Sequence, residues 1–252
     1  MGRTDRMLAD NALWDELDLG PNTRFFLKRV YAGGLDKYTR RLSALGFDGG
    51  ERALDAGCGL GQWSFALAGM CREAWGVDVS RERVDACSRI AGRTGITNVH
   101  FVHGELERLP LETGAFDRVL CYSVLYQTYF ERAIGELARV TRGSGLLYLS
   151  TNDIGRFLQH VISPSNSAPD FDPRAYGWRT LCNSARGRRT GLSMQMGGVV
   201  TRKANVVRLL RESGFEVIDC GPEGLTGGAE EPFMSGRYLG MTASFDVLAR
   251  RR

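Results

Sequence analysis

A glycine-rich turn is the first stretch of the sequence that could do chemistry. Gly57, Gly59 and Gly61 alternate with other residues directly after the apolar run at 52–56. Glycines at the point where a strand turns into a helix let the backbone approach a ligand closely, and the helix start favours a negatively charged group. A dinucleotide-binding turn would need glycine at position 62, where this chain has Gln62. The spacing therefore predicts a ligand-binding turn, but not one that holds a pyrophosphate.

Three acidic residues lie near the ends of three successive predicted strands. Asp55 stands two residues before the first glycine, where a carboxylate would repel a phosphate but would attract the amine of an amino acid. Asp78 lies about 20 residues beyond the turn, the distance at which a carboxylate can accept the ribose hydroxyls. Glu105 can accept a hydrogen bond from an adenine amino group. The three acids predict a nucleoside ligand with an amino acid tail.

The elements that must position these residues alternate in character between residues 50 and 151. Strands that alternate with helices are typical of a doubly wound parallel sheet covered on both faces. The alternation stops after residue 151 and resumes with a helix at 203–212. The last two strands are joined by a loop, so we expect them to pair antiparallel. The predicted strands are 52–56, 74–79, 99–102, 116–121, 145–150, 215–220 and 241–249.

The motifs on these elements resemble those of the class I S-adenosylmethionine-dependent methyltransferases. Residues 54–62 resemble the first motif of that family, and residues 77–80 resemble the second. Residues 104–111 are similar to its GDAxxLPF stretch, residues 114–117 to the GxFD that begins strand four, and residues 136–145 to the RVLKPGG before strand five. The resemblance implies S-adenosylmethionine as the cofactor.

The resemblance covers about residues 50–151 and, more loosely, residues 203–249. With the strand pattern it predicts an α/β fold, a Rossmann-like doubly wound sheet of seven strands, mostly parallel with an antiparallel last strand. N-terminal helices and a cap inserted after strand five would complete the fold. The predicted divisions are an N-terminal helical cap at 1–47, a cofactor-binding core at 48–151, a substrate cap at 152–201 and the C-terminal part of the core sheet at 202–252.

The positions that match the family's motifs imply a role for each cofactor contact. Asp55 and the backbone of the glycine turn would hold the methionine part, and Asp78 would hold the ribose. Val79 and Leu106 would enclose the adenine, and Glu105 stands where the family usually has aspartate. The predicted cofactor-binding residues are Asp55, Gly57, Gly59, Gly61, Gln62, Asp78, Val79, Glu105, Leu106 and Tyr122.

Methyl transfer to a hydroxyl also needs a base for the departing proton, from the segment after strand four or from the cap. Residues 121–127 resemble a VLEH motif of family members that methylate small hydroxyl compounds. Gln127 replaces its histidine and Tyr126 replaces its glutamate, and a glutamine amide cannot act as a base. His160, in the cap, could serve as a base or orient the acceptor. Tyr126 and His160 are therefore the predicted catalytic residues.

The positive charge of the chain is concentrated in the predicted cap. The net charge is +4, but residues 156–203 alone contain eight basic residues against two acidic ones. Arginines near Phe157, Phe171, Tyr176 and Trp178 suit a small-molecule or sugar-containing acceptor that could also be anionic. A small core within the cap would explain the same aromatic residues.

Composition disfavours several classes of protein. No apolar run is long enough to span a bilayer, and residues 1–15 lack the apolar region of a signal peptide. The six cysteines are scattered without a CxxC pair, so we predict reduced thiols, no metal site and a cytoplasmic location.

Three other functions stay open at this point. An RNA methyltransferase would use the arginine-rich cap, although the modest net charge and the missing base-methylation motif disfavour nucleic acid as a partner. A dinucleotide oxidoreductase is opposed by Asp55 and Gln62. A cofactor-binding partner without catalysis would account for Gln127. The sequence does not fix the oligomeric state, and a homodimer is one option.

Overall fold

The computed structural model describes residues 19–165, 167, 171–187, 196–228 and 232–252. Part of the predicted N-terminal helical cap therefore lies outside the described residues. Within them, none of the helices combines the length and apolar character needed to cross a bilayer.

Seven strands form one sheet in the order β3-β2-β1-β4-β5-β9-β6. β9 runs antiparallel to both of its neighbours, and the other neighbouring pairs are parallel. The predicted mostly parallel sheet with an antiparallel last strand is confirmed. The strands of this sheet are β1 Arg52–Ala56, β2 Glu73–Asp78, β3 Val99–His103, β4 Phe116–Tyr122, β5 Thr141–Asn152, β6 Phe215–Pro222 and β9 Ser244–Arg251, and a separate small hairpin pairs β7 Arg237–Tyr238 with β8 Met241–Thr242.

Helices cover both faces of the sheet. The first four pack on one face, and α5 and α8 pack on the other. Their amphipathic patterns explain this placement: in α5, Ala133, Ile134 and Leu137 are all buried, and they share one side of the helix. The helices are α1 Pro21–Tyr31, α2 Asp36–Ala44, α3 Gln62–Ala68, α4 Arg81–Thr94, α5 Phe130–Val140, α6 Ile154–Ile162, α7 Pro173–Ala185 and α8 Lys203–Glu212.

The segment after β5 differs from the sequence-based expectation of an irregular stretch, because it contains α6 and α7. Asp153 begins α6 by accepting a hydrogen bond from the backbone N–H of Ile154. Asp172 begins α7 in the same way, with Pro173 as the first helical residue. These cap residues are the signals that mark the two helix starts in a segment otherwise rich in turn-forming residues.

The last predicted strand, 241–249, is interrupted in the structure. Residues Met241–Thr242 belong to the small hairpin, and only from Ser244 does the chain join the main sheet. The interruption is at Ala243, whose backbone N–H donates to the carbonyl oxygen of Gly236 at 2.9 Å. As a result, the segment before β9 folds back toward α6 at the carboxyl ends of the parallel strands.

Candidate active site

The glycine turn connects β1 to α3 at the carboxyl edge of the sheet, where ligands bind in open α/β sheets. Gly57 has φ = 86° and Gly59 has φ = 55°, in the left-handed region. A Cβ atom on Gly57 would lie 2.7 Å from Cγ1 of Val124, which follows β4. Position 57 therefore needs glycine both for its backbone conformation and for the close approach of Val124.

Asp78 fixes the glycine turn to the end of β2. Its Oδ2 atom accepts a hydrogen bond from the backbone N–H of Gly59, and its Oδ1 atom accepts one from Ser80, both at 2.9 Å. The side chain is buried. Since each carboxylate oxygen can accept a second hydrogen bond, Asp78 keeps capacity for ligand hydroxyls. Its predicted contact with ribose stays a prediction.

Asp55 lies beneath the turn and is only 1% exposed. Its Oδ2 atom accepts a hydrogen bond from the hydroxyl of Ser64 at 2.7 Å. Burial raises the pKa of Asp55 to about 7, an effect that the Ser64 hydrogen bond opposes and the charge of Asp78 reinforces. A carboxyl group covered in this way acts on a cationic ligand mainly through its charge.

Two polar atoms at the start of α3 are buried without a hydrogen-bond partner among the described residues. They are Oε1 of Gln62 and Nε1 of Trp63. Leaving such groups unpaired costs about 1–3 kcal/mol each. Gln62 is a predicted cofactor residue and Trp63 was not identified from the sequence, where its aromatic side chain gave only the signal of a core position.

The residues predicted around the adenine differ in their exposure. Val79 is 64% exposed and offers an apolar face beside Asp78, and its carbonyl oxygen lies 3.1 Å from Nε2 of His103. Glu105 is exposed as well. Leu106, in contrast, is buried and belongs to the core on the side of α5. Only a small part of Leu106 is thus accessible to a ligand, and its adenine contact also stays a prediction.

Tyr122 ends β4, and its hydroxyl group is occupied. It donates a hydrogen bond to Oε1 of Glu223 at 2.8 Å, and its ring packs against Trp63 and Phe233. Burial, followed by the charge of Glu223, raises the pKa of Tyr122 well above the ordinary value. The hydroxyl is therefore no base, and any cofactor contact of Tyr122 would come from its ring or backbone.

Glu223 belongs to a buried polar network that the sequence did not predict. Nη1 of Arg41 donates to Glu223 Oε1 at 3.1 Å and to the hydroxyl of Tyr148 at 2.9 Å. Tyr148 donates in turn to Asp246 at 2.7 Å. Burial raises the pKa of Asp246 to about 6. The network ties α2 to β4, β5 and β9 next to the carboxyl edge.

Ser123, directly after β4, has a strained backbone with φ = 57°. Its N–H group donates to the carbonyl oxygen of Ser150 at 2.8 Å, which holds this conformation in place. Positive φ angles in residues other than glycine cost about 1–3 kcal/mol and are concentrated at functional sites. The strained residue lies between Tyr122 and Val124, so it marks the same edge as the glycine turn.

The two predicted catalytic residues are both found at the cap: Tyr126 packs against it, and His160 is part of it. The ring of Tyr126 packs edge-on against Phe157 at 5.8 Å, and its carbonyl oxygen accepts from the N–H of Val199. The ring of His160 packs edge-on against Phe171 and Tyr176, with centroid distances of 6.4 Å to each. Burial, with the charge of Arg156, lowers the pKa of His160 to about 4. His160 is thus neutral at pH 7 and a weak base.

The aromatic residues of the cap answer the question that the sequence left open. The ring of Tyr176 packs against the rings of both Phe157 and Phe171, so the three form a core within the cap. Trp178 does not join them and is 61% exposed. Within the described ranges, no group of His, Cys, Asp and Glu side chains is arranged to hold a metal ion.

A groove with a volume of about 840 Å³ lies elsewhere. It is lined by residues at the amino ends of strands, Arg52 in β1 and Phe116 in β4, together with Arg108 and Arg139. The glycine turn follows the opposite end of β1. The groove therefore lies away from the candidate site.

Residues 54–149 match a family model described as "Methyltransferase domain". The chain is 34% identical over 100 residues to the "Uncharacterized methyltransferase YcgJ" of Bacillus subtilis (strain 168), a match that covers 39% of this chain and 40% of that protein. It is 30% identical over 198 residues to the "Demethylmenaquinone methyltransferase" of Beutenbergia cavernae, covering 68% of this chain and 80% of the relative.

Solved structures share this fold. A geranyl diphosphate methyltransferase determined in complex with SAM superposes with a TM-score of 0.62, at 16% identity, over 97% of this chain and 96% of its own. At 16% identity, the likeness to this structure is a likeness of fold.

Proposed function

We propose that this chain, which belongs to the class I S-adenosylmethionine-dependent methyltransferase superfamily, transfers a methyl group to an oxygen atom of a small-molecule or glycan-like acceptor. S-adenosylmethionine is its cofactor. The observation that carries the proposal is the glycine turn, which Asp78 holds in place at the open carboxyl edge of the sheet through its hydrogen bond to Gly59. A turn organised before the ligand arrives does not pay an ordering cost on binding.

The residues at this edge fit the cofactor. Gln62 has a buried Oε1 atom without a donor, and an ammonium group is the kind of donor that it lacks. Asp78 retains acceptor capacity for ribose hydroxyls, and the exposed side chain of Val79 gains by being covered with an apolar ring. Asp55, beneath the turn, supplies a negative charge for the cationic part of the ligand.

S-adenosylmethionine supplies, when bound, a methyl group on a positively charged sulfur. The protein then has to position the acceptor oxygen in line with this methyl group and exclude water. The cap helix α6 packs against the end of β5 and against α7, where an acceptor would approach. His160 has an unpartnered, buried Nδ1 atom and a lowered pKa. It is therefore better suited to orienting the acceptor through a hydrogen bond than to removing a proton. Tyr126 remains the other catalytic candidate.

Calorimetry with S-adenosylhomocysteine, the product form of the cofactor, tests cofactor binding. Transfer of radioactive methyl groups from S-adenosylmethionine into a small-molecule extract tests catalysis and separates it from a binding partner without activity. We expect micromolar binding and label in the small-molecule fraction. Label in the RNA fraction instead, or binding without transfer to any fraction, would contradict the proposal.

A further inference from the structure

Arg156 is a buried guanidinium group on the cap helix α6. Arg156 is 6% exposed. Within the described part of the chain, its side chain forms one hydrogen bond, which it donates to Oε1 of Gln159 at 3.1 Å. A buried arginine is ordinarily paired with a carboxylate, because burying an uncompensated charge is costly. Among the described residues, no carboxylate lies within ion-pair distance of Arg156.

Two carboxylates that could supply a counter-charge are already engaged. Glu223 is close enough to raise the pKa of Arg156, but its Oε1 atom accepts from Arg41 and Tyr122, and its Oε2 atom accepts from the backbone N–H of Met234. Asp153, at the start of α6, accepts from Ile154 N–H and Lys203 N–H. Neither carboxylate forms an ion pair with Arg156.

A second guanidinium group contributes to the same electrostatic environment. Arg29, exposed on α1, is close enough to Arg156 for its charge to disfavour the charged form of Arg156. Burial, the largest effect, also lowers the pKa of Arg156. No ion pair holds Arg29 in the described ranges. The charge of Arg29 thus adds to the cost of the unpaired, buried charge of Arg156.

The surroundings of Arg156 are those of the acceptor side of the site. Tyr122, at the end of β4, and Tyr126, just after it, both lie within electrostatic range of Arg156. His160 follows one turn later on α6 and keeps a buried Nδ1 atom without a partner. The guanidinium group of Arg156 and the unpartnered Nδ1 atom of His160 therefore lie on the same face of α6.

We propose that Arg156 binds an anionic group, a carboxylate or a phosphate, of the molecule that receives the methyl group. The proposal rests on the methyltransferase function proposed above. An oxyanion would satisfy the planar N–H donors of the guanidinium and neutralise a charge that the protein leaves unpaired. The acceptor is thus an acid or a phosphate ester.

The test uses the full chain saturated with S-adenosylhomocysteine, titrated calorimetrically with inorganic phosphate in one arm and malonate in the other, at constant ionic strength. The variants are Arg156→Gln and Arg156→Lys, and the control is Arg208→Gln, an exposed arginine on α8 paired with Glu212. We expect at least one anion to bind the wild type and the control equally. Arg156→Gln should weaken that binding at least tenfold, and Arg156→Lys should weaken it less.

The relative strength of phosphate and malonate binding identifies the anionic group. Melting temperatures give a second readout. If Arg156 were structural, Arg156→Gln would lower the melting temperature without anions, whereas removal of an unpaired buried charge should leave it unchanged or raise it. The inference would be overturned if the wild type bound neither anion at concentrations up to about 50 mM. Equal binding by Arg156→Gln and the wild type would overturn it as well. If the wild type did not bind S-adenosylhomocysteine, the proposed function itself would be refuted.

Discussion

The Oδ2 atom of Asp78 accepts a hydrogen bond from the backbone N–H of Gly59 at 2.9 Å, so the acid predicted to bind ribose also holds the glycine turn. One side chain therefore has two tasks, and a substitution affects both. The geometry of the turn and the affinity for the cofactor are coupled through this carboxylate.

Replacement of Asp78 by alanine should lower the affinity for S-adenosylhomocysteine by about 1–3 kcal/mol, since the turn and the ribose both lose acceptors. Calorimetry measures the change. Asp85→Ala, an equal change of charge at an exposed position of α4, is the matched control and should bind like the wild type. Equal affinities of the two variants would show that Asp78 does not serve the cofactor.

Asp55 should make cofactor binding dependent on pH. Burial raises its pKa to about 7, so the carboxyl group changes from largely neutral at pH 6 to largely charged at pH 8. A cationic ligand favours the charged form, and S-adenosylmethionine should bind more tightly as the pH rises over this range, by at most about tenfold per pH unit. Asp55→Asn should show a flatter dependence. The same slope in both proteins would mean that another group titrates.

The same raised pKa predicts an effect on the stability of the ligand-free protein. A carboxyl whose folded-state pKa exceeds its ordinary value of 3.8 stabilises the fold most fully below that value, and this contribution is lost as the pH rises to about 7. Asp55→Asn should thus gain in free energy of unfolding relative to the wild type between pH 5 and pH 8, with a limit of about 1.4 kcal/mol per pH unit. Urea denaturation at the two values measures it, and Asp85→Asn should show no such gain.

The sequence predicts the site best where its signals are local. The strand Arg52–Ala56 has the predicted bounds, because an apolar run and the glycine turn that ends it are adjacent in the chain. Ser80 ends the second motif and caps the next helix, because its Oγ atom accepts from the N–H of Arg83 at the start of α4. Asp78 is found in the same way, since a motif of a few residues defines it.

Contacts between distant parts of the chain could not be predicted in this way. Arg41 and Glu223 are 182 residues apart, and nothing in either neighbourhood indicates the other. Arg156 counted only toward the basic charge of the cap, because its burial follows from how α6 packs. The unpaired state of a side chain is a property of its surroundings, which the local pattern does not contain.

Tyr122→Phe should lower the free energy of unfolding by about 1–2 kcal/mol, because Glu223 loses a buried donor while the ring contacts with Trp63 and Phe233 remain. Urea denaturation measures the loss, with Tyr129→Phe, at a partly exposed tyrosine, as the control. Cofactor affinity should change less than twofold if only the ring or backbone of Tyr122 faces the ligand. A large loss of affinity without loss of stability would assign the hydroxyl to the cofactor.

Gly57→Ala tests why the turn requires glycine. Comparison with Gly59→Ala separates the effect of the positive φ angle from the effect of the contact with Val124. Both positions have positive φ angles, for which a side chain costs about 1–2 kcal/mol. Only at Gly57 would the new Cβ also meet Val124, at 2.7 Å, whereas at Gly59 no atom lies within 4 Å. Gly57→Ala should therefore destabilise the fold more than Gly59→Ala does.

Val124→Ala completes this comparison as a double-mutant cycle, because it removes the methyl groups that the new Cβ would contact. In that background the excess cost of Gly57→Ala over Gly59→Ala should largely disappear, while the cost of the positive φ angle stays. Denaturation of six proteins measures the coupling: the wild type, the three single variants, and Gly57→Ala and Gly59→Ala each combined with Val124→Ala. An excess cost that persists without the Val124 side chain would show that backbone conformation alone demands the glycine at position 57.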